Sequence, residues 1–243
     1  MLRVLILFSV LVVACEGSDA VVSPASEPIG IAEFIASNEK RYSQFDEELL
    51  IRHFFQDERE GVFLDVGCAY PIKLNTTYYL EKHLGWKGVA IDAFHYYRDL
   101  WKAERPETPL LTNAVGDKDG GWVTFHVAGE PSVSSLDKEQ AEKWGGPAAQ
   151  PIRVRAITLT KALEEQGIEK IDFLSLDIEG AEPAALRGFD IDRFAPRLIC
   201  VEAHAGGEGN EREILGYFEA HGYERIEEYL PHDAVNWYFR PRG

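Results

Sequence analysis

Acidic residues recur where short apolar runs end. Asp65 is followed by Val66 and Gly67, Asp92 closes a second run, Asp177 and Glu179 follow a third, and Glu202 precedes His204 by two positions. Five carboxylates gathered at one edge repel one another and lose solvation when buried. A purely structural fold has no need to collect them, so something positive, or rich in hydroxyl donors, should compensate.

The spacing narrows the chemistry. Around Asp65 the sequence lacks the GxGxxG that closes backbone N–H groups on a pyrophosphate, and an acid on that strand would sit badly beside an anion. An acid-x-Gly element followed 27 residues later by a second acid, Asp92, suits a cationic ligand without phosphate. S-adenosylmethionine (SAM) fits, with Asp65 near the ammonium end, Gly67 allowing close backbone approach and Asp92 accepting the ribose hydroxyls. Alone, either acid reads equally as a strand-end cap; the pair at this spacing favours the cofactor.

Methyl transfer is an in-line displacement at a sulfonium carbon, so the protein must align the acceptor and take its proton. Alignment is worth about 7–11 kcal/mol, and a general base adds about 10²–10⁴-fold. His204 is the first candidate base, oriented by Glu202 on the same side if the strand persists, although a surface histidine is an equal reading. Asp177, beside the expected methyl position, is the other candidate. Asp177, Glu179, Glu202 and His204 also have donor types that suit a divalent metal. The spacing does not demand one, and metal-free catalysis ranks ahead. Glu182 reads as a cap on the helix that follows.

These residues need a scaffold. Apolar spacing over 31–59 predicts one or two leading helices. Strands are expected at 61–67, 88–92, 110–116, 122–128, 152–159, 171–177 and 198–204, with helices at 76–84, 96–104, 160–166, 182–187 and 210–221, the last with an Asn210 cap. An antiparallel pair, 223–230 and 236–240, closes the chain. Alternating strands and helices imply a mainly parallel sheet covered on both faces, with ligands beyond the carboxyl ends of the strands. The 129–150 segment is the longest irregular stretch, in the position of a lid or binding loop. Trp86, Tyr78 and Tyr79 read as packing. Cys68 reads as a small buried residue and Cys200 as mid-strand, with a strand between theirs that argues against a disulfide. Asn75-Thr76-Thr77 matches a glycosylation sequon that carries little weight.

Composition sets the outer limits. Of 243 residues 45% are hydrophobic, an ordinary globular proportion that excludes bulk disorder. Lys and Arg number 25 against 41 Asp and Glu, a formal net charge of -16, and such a surface repels nucleic acid. Three cysteines without CxxC spacing exclude a disulfide scaffold or a zinc site of that type. Residues 1–15 read as a signal peptide whose Val12-Val13-Ala14-Cys15 resembles a lipobox, so Cys15 is a candidate for lipidation. Residues 16–30 read as a flexible tether and 31–243 as the domain.

The blocks FLDVGCAYPIKLNTTYYLEKHLGWKGVAIDA (63–93), IDFLSLDIEGAEPAALRGFD (171–190) and LICVEAH (198–204) resemble the FkbM-type SAM-dependent methyltransferases. The resemblance implies a Rossmann-like class I methyltransferase fold: a mainly parallel seven-stranded sheet, helices on both faces and an antiparallel C-terminal pair. It implies O-methylation of a hydroxyl on a sugar or secondary metabolite. By position, Asp65, Gly67 and Cys68 fall in the cofactor loop, Asp92 is the ribose acid, Asn113-Ala114 is the turn beside the adenine, and Asp177, Glu179 and Glu182 form the D-x-E-G-x-E motif. Two inferences then collide, because a lipobox exports the domain whereas SAM is cytosolic. The alternative is an exported or membrane-tethered lipoprotein that keeps the fold and binds a ligand such as a glycan without catalysis; the SAM reading keeps a membrane-associated domain on the cytosolic side.

Overall fold

The structure, a computed structural model, describes residues 29–146, 151–204 and 207–243. The expected targeting segment with Cys15, and the expected tether up to residue 28, lie outside the described residues. The tether's last residues are pinned: Ile29 donates its N–H to Gln56 Oε1, and its carbonyl meets His53 Nε2 at 3.0 Å.

Two leading helices, α1 (Ile31–Ser37) and α2 (Glu47–Phe55), precede the first strand, β1 (Val62–Val66). After it come α3 (Tyr78–Leu84), β2 (Lys87–Ile91) and α4 (Arg98–Glu104), the last entered through a 3-10 turn at His95–Tyr97. The expected third strand is broken. Its first part, β3 (Leu110–Leu111), pairs with β2, while β4 (Ala114–Val115) leaves for a second, three-stranded sheet. Between the two parts, Asn113 Nδ2 donates to the Arg155 carbonyl at 3.2 Å and fastens the chain to its new neighbour. That sheet, in the order β4-β6-β5, is completed by β5 (Trp122–Phe125) and β6 (Ile152–Ile157).

The remaining elements are α5 (Lys138–Gly145), α6 (Leu159–Glu165), β7 (Phe173–Leu176), α7 (Glu182–Arg187), α8 (Ile191–Phe194), β8 (Leu198–Glu202), α9 (Glu208–Ala220), β9 (Tyr223–Arg225) and β10 (Asn236–Pro241). The main sheet runs β3-β2-β1-β7-β8-β10-β9, parallel from β3 to β8, with β10 antiparallel to both its neighbours. This is the expected Rossmann-like, class I methyltransferase arrangement.

Two-residue alternation builds both layers. Leu64, Leu174, Ile199 and Phe239 pack with α6, α7, α8 and α9, whereas Phe63, Phe173, Leu198 and Tyr238 pack with α2, α3 and Trp86 on the other face. Trp86 is thus core, as expected. Thr158 caps α6 by accepting from Lys161 N–H, and Gly85 ends α3 in a left-handed conformation.

Two local expectations fail. Part of the 129–150 stretch is ordered as a 3-10 turn at Pro131–Val133 and as α5, whose Asp137 cap accepts from Glu139 and Gln140 N–H. The pattern hid α5 because only Ala141 of it is buried. Asn210 does not cap α9, whose N-cap is Gly207; its side chain donates to the Gly180 carbonyl instead. None of the described helices is long and apolar enough to cross a membrane.

Candidate active site

The carboxyl ends of β1, β2 and β7, the start of β4 and the turn at Pro131–Val133 line a cleft. Gly67, Asp92, Ala93, Asn113, Ala114, Asp177 and Glu179 wall it, with Ile91, Val115 and Phe125 as apolar surface. Sequence reasoning missed Phe125, which arrives from the second sheet.

Asp92 is held from behind. Its Oδ2 accepts from Ala69 N–H at 2.9 Å and its Oδ1 from Phe94 N–H at 2.7 Å. Each oxygen keeps a lone pair for a ligand hydroxyl. Burial pushes this carboxyl up to about 6, with Asp65 and Asp177 adding repulsion, so it is ionised at neutral pH.

Gly67 has φ +78°, and a Cβ there would lie 1.6 Å from the Asp177 carbonyl oxygen. The glycine is therefore dictated first by the contact between the β1 and β7 ends and only then by any ligand. The β7 end turns sharply, with Glu179 at φ 55° and Gly180 at φ 97°. Glu182, the first residue of α7, closes this turn: its Oε1 accepts from Ile178 and Gly180 N–H, ahead of the helix, instead of from the helix N–H groups that a cap would satisfy. Ser135 Oγ donates to the Glu179 carbonyl at 2.8 Å, so the serine-rich segment does reach the site.

Asp177 reaches solvent through the cleft, but the protein around it pushes its carboxyl up to about 6. Burial, with Asp177 and Glu182 adding to it, lifts Glu179 to about 8. Glu202 is raised by burial and by the charge of Asp177, and the two carboxyls hydrogen-bond. Because Asp177 is the more acidic partner, Glu202 carries the proton and donates it. One wall thus presents an ionised Asp177 backed by a neutral acid.

Three expectations are corrected. Asp65 does not line the cleft: its strand face directs the carboxylate into the core, where Oδ2 accepts from Thr77 Oγ1 at 2.6 Å and Asn75 Nδ2 at 3.1 Å. The fully buried Arg105 donates to Asn75 and Thr77 and pairs with Glu81 at 2.6 Å. The positive, hydroxyl-rich compensation anticipated for the acids is here, and Arg105 itself was not foreseen. Asn75 is buried inside this network and out of reach as a sequon. Cys68 is likewise buried off the cleft, its thiol raised well above the ordinary value by burial, an inert packing residue. Cys68 and Cys200 are both free.

His204 is the third. Strand β8 stops at Glu202, so the alternation that would align the two side chains is lost. The imidazole is exposed and bonds Glu211 of α9 at 2.7 Å, away from the cleft wall. The expected metal set is regrouped: among the described residues Asp177 and Glu202 converge with Glu182, without Glu179 or His204.

The family model for the methyltransferase FkbM domain matches residues 65–225. Comparison with curated proteins yields no match. Among solved structures, a TehB-like SAM-dependent methyltransferase from Corynebacterium glutamicum shares 16% identity at a TM-score of 0.45, over 86% of this chain and 91% of that one. A SAM-dependent O-methyltransferase from Thermotoga maritima shares 10% at 0.44, over 88% and 71%. The fibrillarin pre-rRNA processing protein of Methanococcus jannaschii shares 13% at 0.42, over 77% and 69%.

Proposed function

The chain belongs to the FkbM methyltransferase family, and from that premise we propose that it is a SAM-dependent O-methyltransferase for a hydroxyl on a sugar or secondary metabolite. The observation that carries this reading is a single cleft walled by Gly67, Asp92, Asn113, Ala114 and Asp177. The donor set fits the cofactor. The two oxygens of Asp92 face a diol, Ile91, Val115 and Phe125 offer apolar contact for a flat base beside Asn113-Ala114, and ionised Asp177 favours a sulfonium. Bound SAM would supply an activated methyl group.

The chain's own contribution is positioning and proton removal. Asp177 is the base: it is ionised at neutral pH and accepts the acceptor's hydroxyl proton at a carboxylate oxygen. Glu202 holds that carboxylate in place by donating to it. Glu179, neutral at pH 7, offers a donor to the acceptor oxygen from the same turn. The reading is metal-free, in line with the sequence analysis; Asp177, Glu182 and Glu202 are the carboxylates that would hold a divalent ion.

Calorimetric titration tests it. Saturable SAM binding is expected in the full chain, weakened by about 1–3 kcal/mol in Asp92→Ala, the cost of losing hydrogen bonds to a charged group. A folded wild type that shows no binding at millimolar SAM would overturn the reading.

We propose further that residues 16–30 tether the domain to a membrane from a lipidated Cys15, a reading supported by the lipobox-like sequence alone. Palmitate labelling should disappear in Cys15→Ser; equal labelling of the two forms removes Cys15 from that role.

A further inference from the structure

A second, open cleft lies beside the first and shares Ala93 and Asn113 with it. Neither Gly67, Asp177 nor Glu179 reaches it, so it lies apart from the proposed reacting atoms. Its floor is the ribbon of β5 and β6. Cross-strand register pairs Trp122 with Arg155 and Thr124 with Arg153, and alternation turns these four outward while Phe125 and Val154 are buried. Arg98 of α4 and His95 form the opposite rim.

The charge here runs against the rest of the molecule. The chain carries a net -16, and surface arginines such as Arg187, Arg193, Arg197 and Arg240 each pair with an acid. Arg98, Arg153 and Arg155 are bonded only to neutral acceptors: Thr112 Oγ1, the Trp122 carbonyl and the Gly120 carbonyl. Among the described residues no ion pair reaches any of the three. Each keeps most of its N–H donors free and turned to solvent. The Arg155 guanidinium lies 5.7 Å from the centre of the Trp122 ring, and that tryptophan is 57% exposed. An exposed indole in a cleft, flanked by unpaired guanidinium forks, matches a flat ring carrying a phosphate.

We propose that this cleft binds a phosphate-bearing small molecule with a planar ring, of the nucleotide class, at a site separate from the methyl-transfer cleft. Trp122 takes the ring, and Arg98, Arg153 and Arg155 take the phosphate. A small ligand fits better than a nucleic acid, because the acidic surface around the patch repels an extended polyanion. Sharing Asn113 and Ala93 places the ligand alongside the methyl donor.

The probe is uridine diphosphate, which has no adenine to compete for the first cleft. It is titrated into the full chain by calorimetry, with S-adenosylhomocysteine titrated in parallel. Saturable binding is expected, reduced about tenfold or more in the double variant Arg153→Glu/Arg155→Glu. S-adenosylhomocysteine affinity should stay within about twofold of wild type, which also reports that the variant is folded and keeps this outcome distinct from failure of the cofactor reading. Absence of binding at millimolar uridine diphosphate, equal binding by variant and wild type, or one-for-one displacement by S-adenosylhomocysteine overturns the proposal.

Discussion

Asp65 and Asp177 end neighbouring strands, yet one serves the core and the other the cleft. The difference is what each side chain meets. Asp65 meets hydroxyl and amide donors that satisfy it internally, with the charge of Arg105 behind them. Asp177 meets another carboxyl and open solvent, and so stays available. A base raised to about 6 must lose its proton to work, so turnover should rise as pH climbs through about 6 and decline above about 8, where Glu179 loses the proton that it donates. Asp177→Asn should lower kcat by about 10²–10⁴-fold and weaken binding of SAM, which carries the sulfonium, more than that of the uncharged S-adenosylhomocysteine. His204→Ala should leave turnover within about twofold, because the imidazole is engaged with Glu211 outside the cleft. Steady-state kinetics over pH 5 to 9 checks all three; a full-rate Asp177→Asn enzyme would remove the base.

At the scale of elements, the buried knot under β1 joins three pieces of chain. Asp65 comes from β1, Asn75 and Thr77 from the entry to α3, and Arg105 from the end of α4, where its guanidinium also lies 4.4 Å over the Trp101 ring. The knot fixes the loop that presents Ala69 N–H to Asp92, since Asn75 Nδ2 also donates to the Cys68 carbonyl, and so links a core ion pair to an acid of the cleft wall. Arg105→Met should destabilise the fold by about 3–5 kcal/mol, because it strands Asp65 and Glu81 without their cation. Adding Asp65→Asn should recover part of that loss, giving a coupling of about 1 kcal/mol or more in a double-mutant cycle by urea unfolding. Strictly additive losses would show that the acid and the arginine do not act as a unit. Strand periodicity marked β1, β2, β7 and β8 in the sequence but could not show that 110–116 divides between two sheets, since both halves are apolar.

For the whole molecule, the acids set the pH response. Asp92, Asp177, Glu182, Glu179 and Glu47 all bind protons more tightly folded than unfolded, with values raised to about 6, 6, 7, 8 and 7. Their contribution is fully present below the unfolded carboxyl range near 4 and is lost as pH rises through the folded values, so stability should fall from about pH 5 to pH 8. Glu202→Gln keeps a neutral donor to Asp177 without needing a proton, so it should raise Tm at pH 8 by about 2–4 °C, roughly 1 kcal/mol for a chain of this size, and by less at pH 5. Scanning calorimetry at the two pH values measures it; an equal gain at both would contradict the cause. The alternating pattern by itself determined the sheet class, the strand-end position of the acids, the burial of Trp86 and the absence of a Cys68–Cys200 bridge, because side-chain periodicity and strand neighbours are local or nearly local facts. Only the tertiary structure decided which acids share a cleft. It turned Asp65 inward onto Asn75 and Thr77, which Arg105, forty residues away in sequence, holds in turn, and it ended β8 at Glu202, so that His204 swung to α9. It also brought Phe125 and the arginines of β6 alongside the cofactor walls. Those outcomes depend on which distant groups compete for each carboxylate, and no spacing along the chain records that competition.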